Sequence, residues 1–175
     1  MTILYEGTLC KIVEYEHSKR GRGDAFARTK MRELETGKVF SRTLQGNEDI
    51  EKAYLEERPL QFMYTSGNNY HFMDEEDYEQ FQVKENQLGD KGQYLTPNLE
   101  LAGLFHEGRL ITINLPTFVV LTVEDTKPGV KGNTASGGTK KATLETGLTL
   151  RVPLFIEEGE EIKVDTRSGE YVERA

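Results

Sequence analysis

The chain has 175 residues, 36% hydrophobic and 30% charged, with a formal net charge of −8. Eight Phe and eight Tyr can anchor compact cores, which excludes bulk disorder, and the length suits one medium domain or two to three small ones. No apolar run approaches the roughly 18 residues that a membrane helix needs, so no membrane partner is expected. The start, MTILYEGTLCKIVEYE, has no positive segment leading into an apolar one, so no secretory leader is expected. Cys10 is the single cysteine, which excludes an internal disulfide and a cysteine-built zinc site. A cytoplasmic location follows.

Composition shifts near residues 53 and 117 divide the chain into blocks 1–53, 54–117 and 118–175. The first carries 10 basic and 9 acidic residues, the second 4 and 11, the third 8 and 10. Cations are concentrated further, with a net +5 over residues 17–42 and +4 over residues 126–151. Two cationic patches are thus separated by an acidic middle. For each patch a solvated, salt-bridged surface is the alternative to an RNA-facing one.

Period-two patterning predicts strands throughout, with little helix. Lys11–Glu16 is the first strand, followed by the loop HSKRGRGD at 17–24. Ala25–Leu34 alternates, placing Ala27, Thr29 and Met31 on one face and Arg28, Lys30 and Arg32 on the other. Three cations on one face repel each other unless water or phosphate lies beyond. Thr36-Gly37 turns the chain into Lys38–Leu44, so the first block is a small barrel-like sheet with one long hairpin loop. Such a loop projects roughly 13 Å, and Gly21 and Gly23 leave Arg22 the only bulky group at its tip.

The second block offers strands at Leu60–Tyr64, Tyr70–Met73, Leu99–Phe105 and Arg109–Asn114. Asp74–Asp77 is an acidic turn or the first turn of a short helix. The third block opens with Phe118–Val123, passes through a long polar loop at 125–143 and ends in Leu148–Val152, Glu161–Val164 and Glu170–Val172. Strand lengths and spacing predict five-stranded oligonucleotide-binding barrels for blocks two and three.

No catalytic constellation is visible. His17, His71 and His106 lack ligand spacing, and no metal is expected. No serine sits in a nucleophile elbow, and SGGTK at 136–140 lacks the order of a phosphate loop. An enzyme is not expected, nor a cofactor.

Three stretches together resemble bacterial elongation factor P: GRGDAFARTKMRELETGKV at 21–39, YHFMDEEDYEQF at 70–81, and residues 123–175. Within the last, the family signature K-x-A-x4-G-x2-[LIV]-x-V-P-x2-[LIV]-x2-G is met by Lys140, Ala142, Gly147, Leu150, Val152, Pro153, Ile156 and Gly159. The resemblance implies an all-β fold of three small barrels, an SH3-like domain (1–53, KOW-like) followed by two OB-fold domains (54–117 and 118–175), in an L-shaped, tRNA-like arrangement. It implies a translation elongation factor that binds the 70S ribosome between the peptidyl and exit sites and stimulates peptide-bond formation at polyproline stalls. By the same resemblance, Arg22 is the loop tip pointing at the CCA end of the peptidyl-tRNA, supported by Gly21 and Gly23. The family's C-terminal-domain loop maps to Gly132, Asn133, Thr134, Gly137, Gly138 and Lys140, near the exit-site codon and the small subunit. The partners implied are the ribosome and its rRNA, the peptidyl-tRNA and an enzyme acting on Arg22; the factor is expected to be a monomer.

Three features depart from the family. Many members carry a lysine at the tip, extended by a lysine-type group, which Arg22 cannot take. Another branch rhamnosylates an arginine there, and the GRGD context leaves a rhamnosylated and an unmodified Arg22 both open. Lys141 stands where the family usually has proline. Members also usually begin earlier, with an additional strand, which leaves open an incomplete first barrel or a misassigned start.

Arg22 suits a positioning role: it stays protonated, donates up to five hydrogen bonds and cannot act as a base. Lys19, Arg20, Arg28, Lys30 and Arg32 are the expected RNA-backbone contacts. For Arg22 the alternative is a solvated loop residue, and for the strand cations a salt-bridged face. Other functions stay open: a paralogue with another stalling specificity, a general OB-fold RNA-binding protein, or a protein adaptor using the acidic face.

Overall fold

A computed structural model of the chain describes residues 1–18, 25–129 and 138–175. It holds three sheets of five strands each.

The first sheet comprises β1 (Thr2–Tyr5), β2 (Thr8–Ser18), β3 (Phe26–Glu33), β4 (Val39–Gln45) and β5 (Glu51–Lys52), in the order β4-β3-β2-β1-β5. Glu6 and Gly7 both take positive φ, 47° and 80°, which is the twist a two-residue hairpin between β1 and β2 requires. β2 is longer than its apolar alternation predicts. It pairs with β3 out to Ser18↔Phe26, so His17 and Ser18 belong to a strand and not to the loop. Ladder hydrogen bonds there override the polar composition of the sequence. The core of this sheet is thin: Ile3, Cys10 and Met31 are buried, with Tyr5, Ile12 and Phe40 against them.

The second sheet comprises β6 (Glu56–Ser66), β7 (Asn69–Asp74), β8 (Gln80–Lys84), β9 (Glu100–His106) and β10 (Arg109–Asn114), ordered β10-β9-β6-β7-β8. A single-turn helix, α1 (Glu85–Leu88), and a 3-10 segment (Gly89–Tyr94) lie between β8 and β9. Of the two readings of Asp74–Asp77, the turn is the one adopted. Asp74 Oδ1 accepts from the Glu76 amide at 2.8 Å, and Tyr78 leaves the turn with φ 61°. The side-chain acceptor replaces a helical carbonyl.

The third sheet comprises β11 (Phe118–Thr126), β12 (Thr139–Leu144), β13 (Thr149–Pro153), β14 (Glu161–Asp165) and β15 (Glu170–Arg174), ordered β13-β12-β11-β14-β15. The polar loop predicted at 125–143 is shorter than expected. β11 runs on to Thr126, and β12 occupies residues from Thr139 onward, with Lys140, Ala142 and Leu144 buried in alternation. A lysine at a core position disguises this strand in the sequence.

Sheets two and three share one connectivity. In each, the first strand lies between the second and the fourth, with the third and fifth strands at the edges. The edge strands approach each other in both, β8 with β10 and β13 with β15, so each sheet curls toward a barrel. This is the five-stranded, partly open arrangement of an OB fold. In the first sheet β5 pairs with β1 at one end of the β4-β3-β2-β1 meander of a KOW-like domain.

Neighbouring domains are fastened together. Leu99 and Leu115 pack against both the second and third cores, and Tyr94, from the middle domain, is buried in the third. Arg109 on β10 pairs with Glu35, which follows β3.

Candidate nucleic-acid interface

The exposed face of the β2–β3 hairpin carries the strand cations. Thr29 and Met31 point inward and are fully buried, while Arg28 and Arg32 are exposed and Lys30 half-buried. The alternation read from the sequence therefore places the three cations outward. Cross-strand neighbours then differentiate them. Arg28 lies opposite Glu16 and Lys30 opposite Glu14, and the Lys30 Nζ–Glu14 Oε1 distance is 3.2 Å. Arg32 lies opposite Lys11. Toward the loop the face is thus charge-balanced; away from it, it is not.

The loop-tip residues Lys19, Arg20, Gly21, Arg22 and Gly23 lie outside the described residues. Their supports are described. The ladder from Cys10↔Glu33 to Ser18↔Phe26, with one register shift between Ile12 and Glu14, forms an arm that β4 widens out to Phe26↔Gln45. Gly46 closes the loop end of the arm by donating its amide to the Ala25 carbonyl at 2.8 Å. A Cβ at 46 would sit 3.0 Å from that oxygen, so only a tight fit is left there.

In the third domain, Gly132, Asn133, Thr134 and Gly137 also lie outside the described residues, whereas Gly138 and Lys140 flank them. Lys140 is 9% exposed, and its Nζ donates to the Lys127 carbonyl at 2.6 Å. Its apolar stem is interior and its charge ties together the two strands that carry the loop. Thr126 Oγ1 adds a second tie to the Lys141 carbonyl at 3.0 Å. Gly129 passes so close to Leu154 that a Cβ would lie 2.5 Å from its carbonyl oxygen. Lys140 is thereby an anchor of the loop base, with its ammonium committed to protein.

Three cations escaped the sequence reading. Arg42 lines a shallow concavity with Arg28, Ser41 and Thr43, and its guanidinium lies 5.5 Å from the Phe40 ring centroid. Lys11 becomes Arg32's neighbour only through the β2–β3 register. Lys91 enters from the middle domain, where its Nζ donates to the Ile113 carbonyl at 2.6 Å and to Thr112 Oγ1 at 3.3 Å. Burial holds the Lys91 ammonium below the ordinary lysine pKa, and the charges of Arg32 and Lys11 push the same way. Among the described residues no group of three or more His, Cys, Asp or Glu is placed to hold a metal ion.

A KOW-like domain followed by two OB-type barrels, with cations on the exposed face of the β2–β3 hairpin, defines a modular all-β architecture. Family models agree in the same order along the chain: the elongation factor P KOW-like domain over residues 1–50, the elongation factor P OB domain over 55–113, and the elongation factor P C-terminal domain over 119–174. The chain is 52% identical over 174 residues to elongation factor P of Natranaerobius thermophilus, covering 99% of this chain and 93% of the relative. It is 46% identical over 175 residues to that of Moorella thermoacetica, covering 100% and 95%. Among solved structures, translation initiation factor 5A from Methanococcus jannaschii shares the fold, with a TM-score of 0.53 and 23% identity over 65% of this chain and 84% of that one. The chain belongs to the elongation factor P family: it is a translation elongation factor, not an enzyme.

Proposed function

We propose that this elongation factor works in the cytoplasm as a monomer on the 70S ribosome, between the peptidyl and exit sites, and speeds peptide-bond formation where consecutive prolines stall it. Family membership supports the general reading, and the observation that carries the mechanism is the β2–β3 arm, paired in register out to Ser18 and Phe26. In this reading the Arg22 guanidinium grips the phosphates at the CCA end of the peptidyl-tRNA. Lys19 and Arg20 contact the adjoining backbone, and Arg28, Lys30 and Arg32 extend that contact along the strand. The mechanism is positional: misaligned reactants make peptidyl transfer slow, and a pinned CCA end restores geometry without proton transfer. In the third domain, the loop carrying Gly132, Asn133, Thr134, Gly137 and Gly138 lies toward the exit-site codon and the small subunit, its base fixed by Lys140. The acidic middle domain turns toward solvent or basic ribosomal protein, and rRNA meets the cationic surfaces.

The test is triple-proline peptide synthesis on ribosomes of the same organism, with no factor, with the native protein and with Arg22→Ala. Acceleration by the native protein and its loss in the variant are expected, with unchanged thermal stability. Intact mass of the native protein separates a rhamnosylated from an unmodified Arg22 and identifies whether an enzyme acts on it. No acceleration by full-length native protein overturns the reading.

A further inference from the structure

Residues 54–117 carry 11 acidic residues, yet the outward positions of β7, of β8 and of β6 from Gln61 onward hold none. Phe62, Phe72 and Val83 are buried in the domain's core, so the residues alternating with them face outward. Strand register sets these outward residues in rows. Tyr64 stands opposite His71, and His71 opposite Gln82. Met73 and Gln80 form the row on one side, Asn69 and Lys84 the row on the other. The Tyr64 and His71 rings are stacked, with centroids 4.5 Å apart and planes 16° from parallel. Strict alternation from the buried Phe62 would turn Tyr64 inward. A register shift between the two re-aims it, and Tyr64 is 49% exposed. Carboxylates return only at the margins: Glu100 opposite Gln61 on β9, Glu79 before Gln80 and Glu85 after Lys84.

We infer that this face is a platform on which one unpaired base of ribosomal RNA stacks against Tyr64, with the Gln80 and Gln82 amides at its edge. The Tyr64–His71 pair is already parallel, so a third ring extends the stack with little further ordering. A nucleobase is neutral and tolerates an acidic domain, whereas a duplex lying along the same surface would set its phosphates against the marginal carboxylates. A basic protein partner would be drawn to those carboxylates and away from a face that has none. Each glutamine amide offers a donor and an acceptor, which suits a base edge, and Lys84 supplies one cation for the adjoining phosphate. In OB barrels oligonucleotides lie on the face of the second and third strands, which here are β7 and β8. This inference rests on the ribosomal reading above, which supplies the RNA; that reading commits the peptidyl-tRNA to the first domain, so the base is assigned to ribosomal RNA.

The experiment measures the affinity of the full chain for ribosomes carrying a peptidyl-tRNA at several salt concentrations. Wild type is compared with Tyr64→Leu and Tyr64→Phe. Loss of one base–aromatic stack weakens binding by about tenfold. Tyr64→Leu is expected to show that loss, and Tyr64→Phe, which keeps the ring, to bind like wild type. A stack releases no counterions, so the slope of log affinity against log salt is expected to stay at its wild-type value in both variants. Tyr64 is half-exposed, so both variants are expected to melt close to wild type. Ultraviolet irradiation of the wild-type complex is expected to join the peptide containing Tyr64 to ribosomal RNA. Wild-type affinity in Tyr64→Leu, in a protein that still accelerates triple-proline synthesis, would overturn the platform and leave the function standing. A crosslink to tRNA or to protein in place of ribosomal RNA, or none, would overturn the assignment of the base. A wild-type protein that neither binds nor accelerates would overturn both readings.

Discussion

The Tyr94 hydroxyl of the middle domain lies against Gly169 of the third, where an added Cβ would come within 3.0 Å of it. Tyr94 is 8% exposed within the third domain's core, and Gly169 takes φ +74° in the turn before β15. Burial, together with the charges of Asp90 and Asp165, raises the Tyr94 pKa. One tyrosine thus closes the seam between two barrels, and the glycine opposite is required for both space and backbone conformation.

Gly169→Ala is expected to destabilise the protein by about 1–2 kcal/mol from the left-handed conformation alone. The contact with Tyr94 adds to this, so the substitution is expected to cost less in a Tyr94→Phe background, where the contacted oxygen is gone. Urea denaturation of the two single variants and the double variant checks the coupling. Strict additivity would show that the hydroxyl contact carries no energy.

Asp165 neighbours the same turn. Arg167 donates to both its carboxyl oxygens, at 3.1 and 2.8 Å, and also bonds it through its backbone amide at 2.8 Å. These bonds depress the Asp165 pKa from 3.8 to about 2 in the folded state. A depressed carboxyl pKa stabilises the fold above the unfolded value and ceases to do so as pH falls through the folded one. The contribution is therefore complete above pH 3.8 and is lost as the pH falls from there to about 2. Melting temperature measured across this window is expected to drop less steeply in Arg167→Ala than in wild type, and a carboxyl-detected NMR titration reads the pKa directly.

The three domains differ in core size. Among the described residues the third core holds twelve buried side chains, including Leu121, Leu144 and Ile162, while the first holds Ile3, Cys10 and Met31. Each large apolar side chain buried contributes about 1.5–3 kcal/mol, so the first domain is expected to open first. Native-state hydrogen exchange is expected to show lower opening free energies for β1–β4 than for β11–β14. Met31→Ala should cost about 2–5 kcal/mol and widen that gap. Equal protection in both sheets would show that the Glu35–Arg109 junction makes the domains unfold together.

Gly129→Ala addresses the third-domain loop without touching its residues. The new Cβ would meet the Leu154 carbonyl oxygen at 2.5 Å, so the chain entering the loop must shift. Triple-proline synthesis is expected to slow while the melting temperature falls only slightly, because β11 and β13 keep their ladders. Wild-type rates would separate the loop's course from activity.

Strand positions were largely legible in the sequence because period-two alternation survives wherever one face is buried: Thr29 and Met31 inward with Arg28, Lys30 and Arg32 outward is the clearest case. The family was legible in the signature from Lys140 to Gly159. β12 was hidden because Lys140 occupies a core position, its charge satisfied by the Lys127 carbonyl just beyond the neighbouring strand β11, and no local pattern announces such a partner. The ends of β2 were hidden because His17 and Ser18 owe their strand to pairing with β3 and not to their own propensities.

The chain's residue order by itself determined the class of fold, the family, and which strand faces carry charge, since alternation and turn chemistry act over a few neighbouring residues. Tertiary structure alone decided which charges are free. Glu14 neutralises Lys30, and Lys11 repels Arg32, only because a register shift between Ile12 and Glu14 sets who stands opposite whom. Lys91 comes under the charges of Arg32 and Lys11 only once the first two domains have folded against each other. Coulomb energy depends on distance in space, and residues 11, 32 and 91 become neighbours only when the chain has folded.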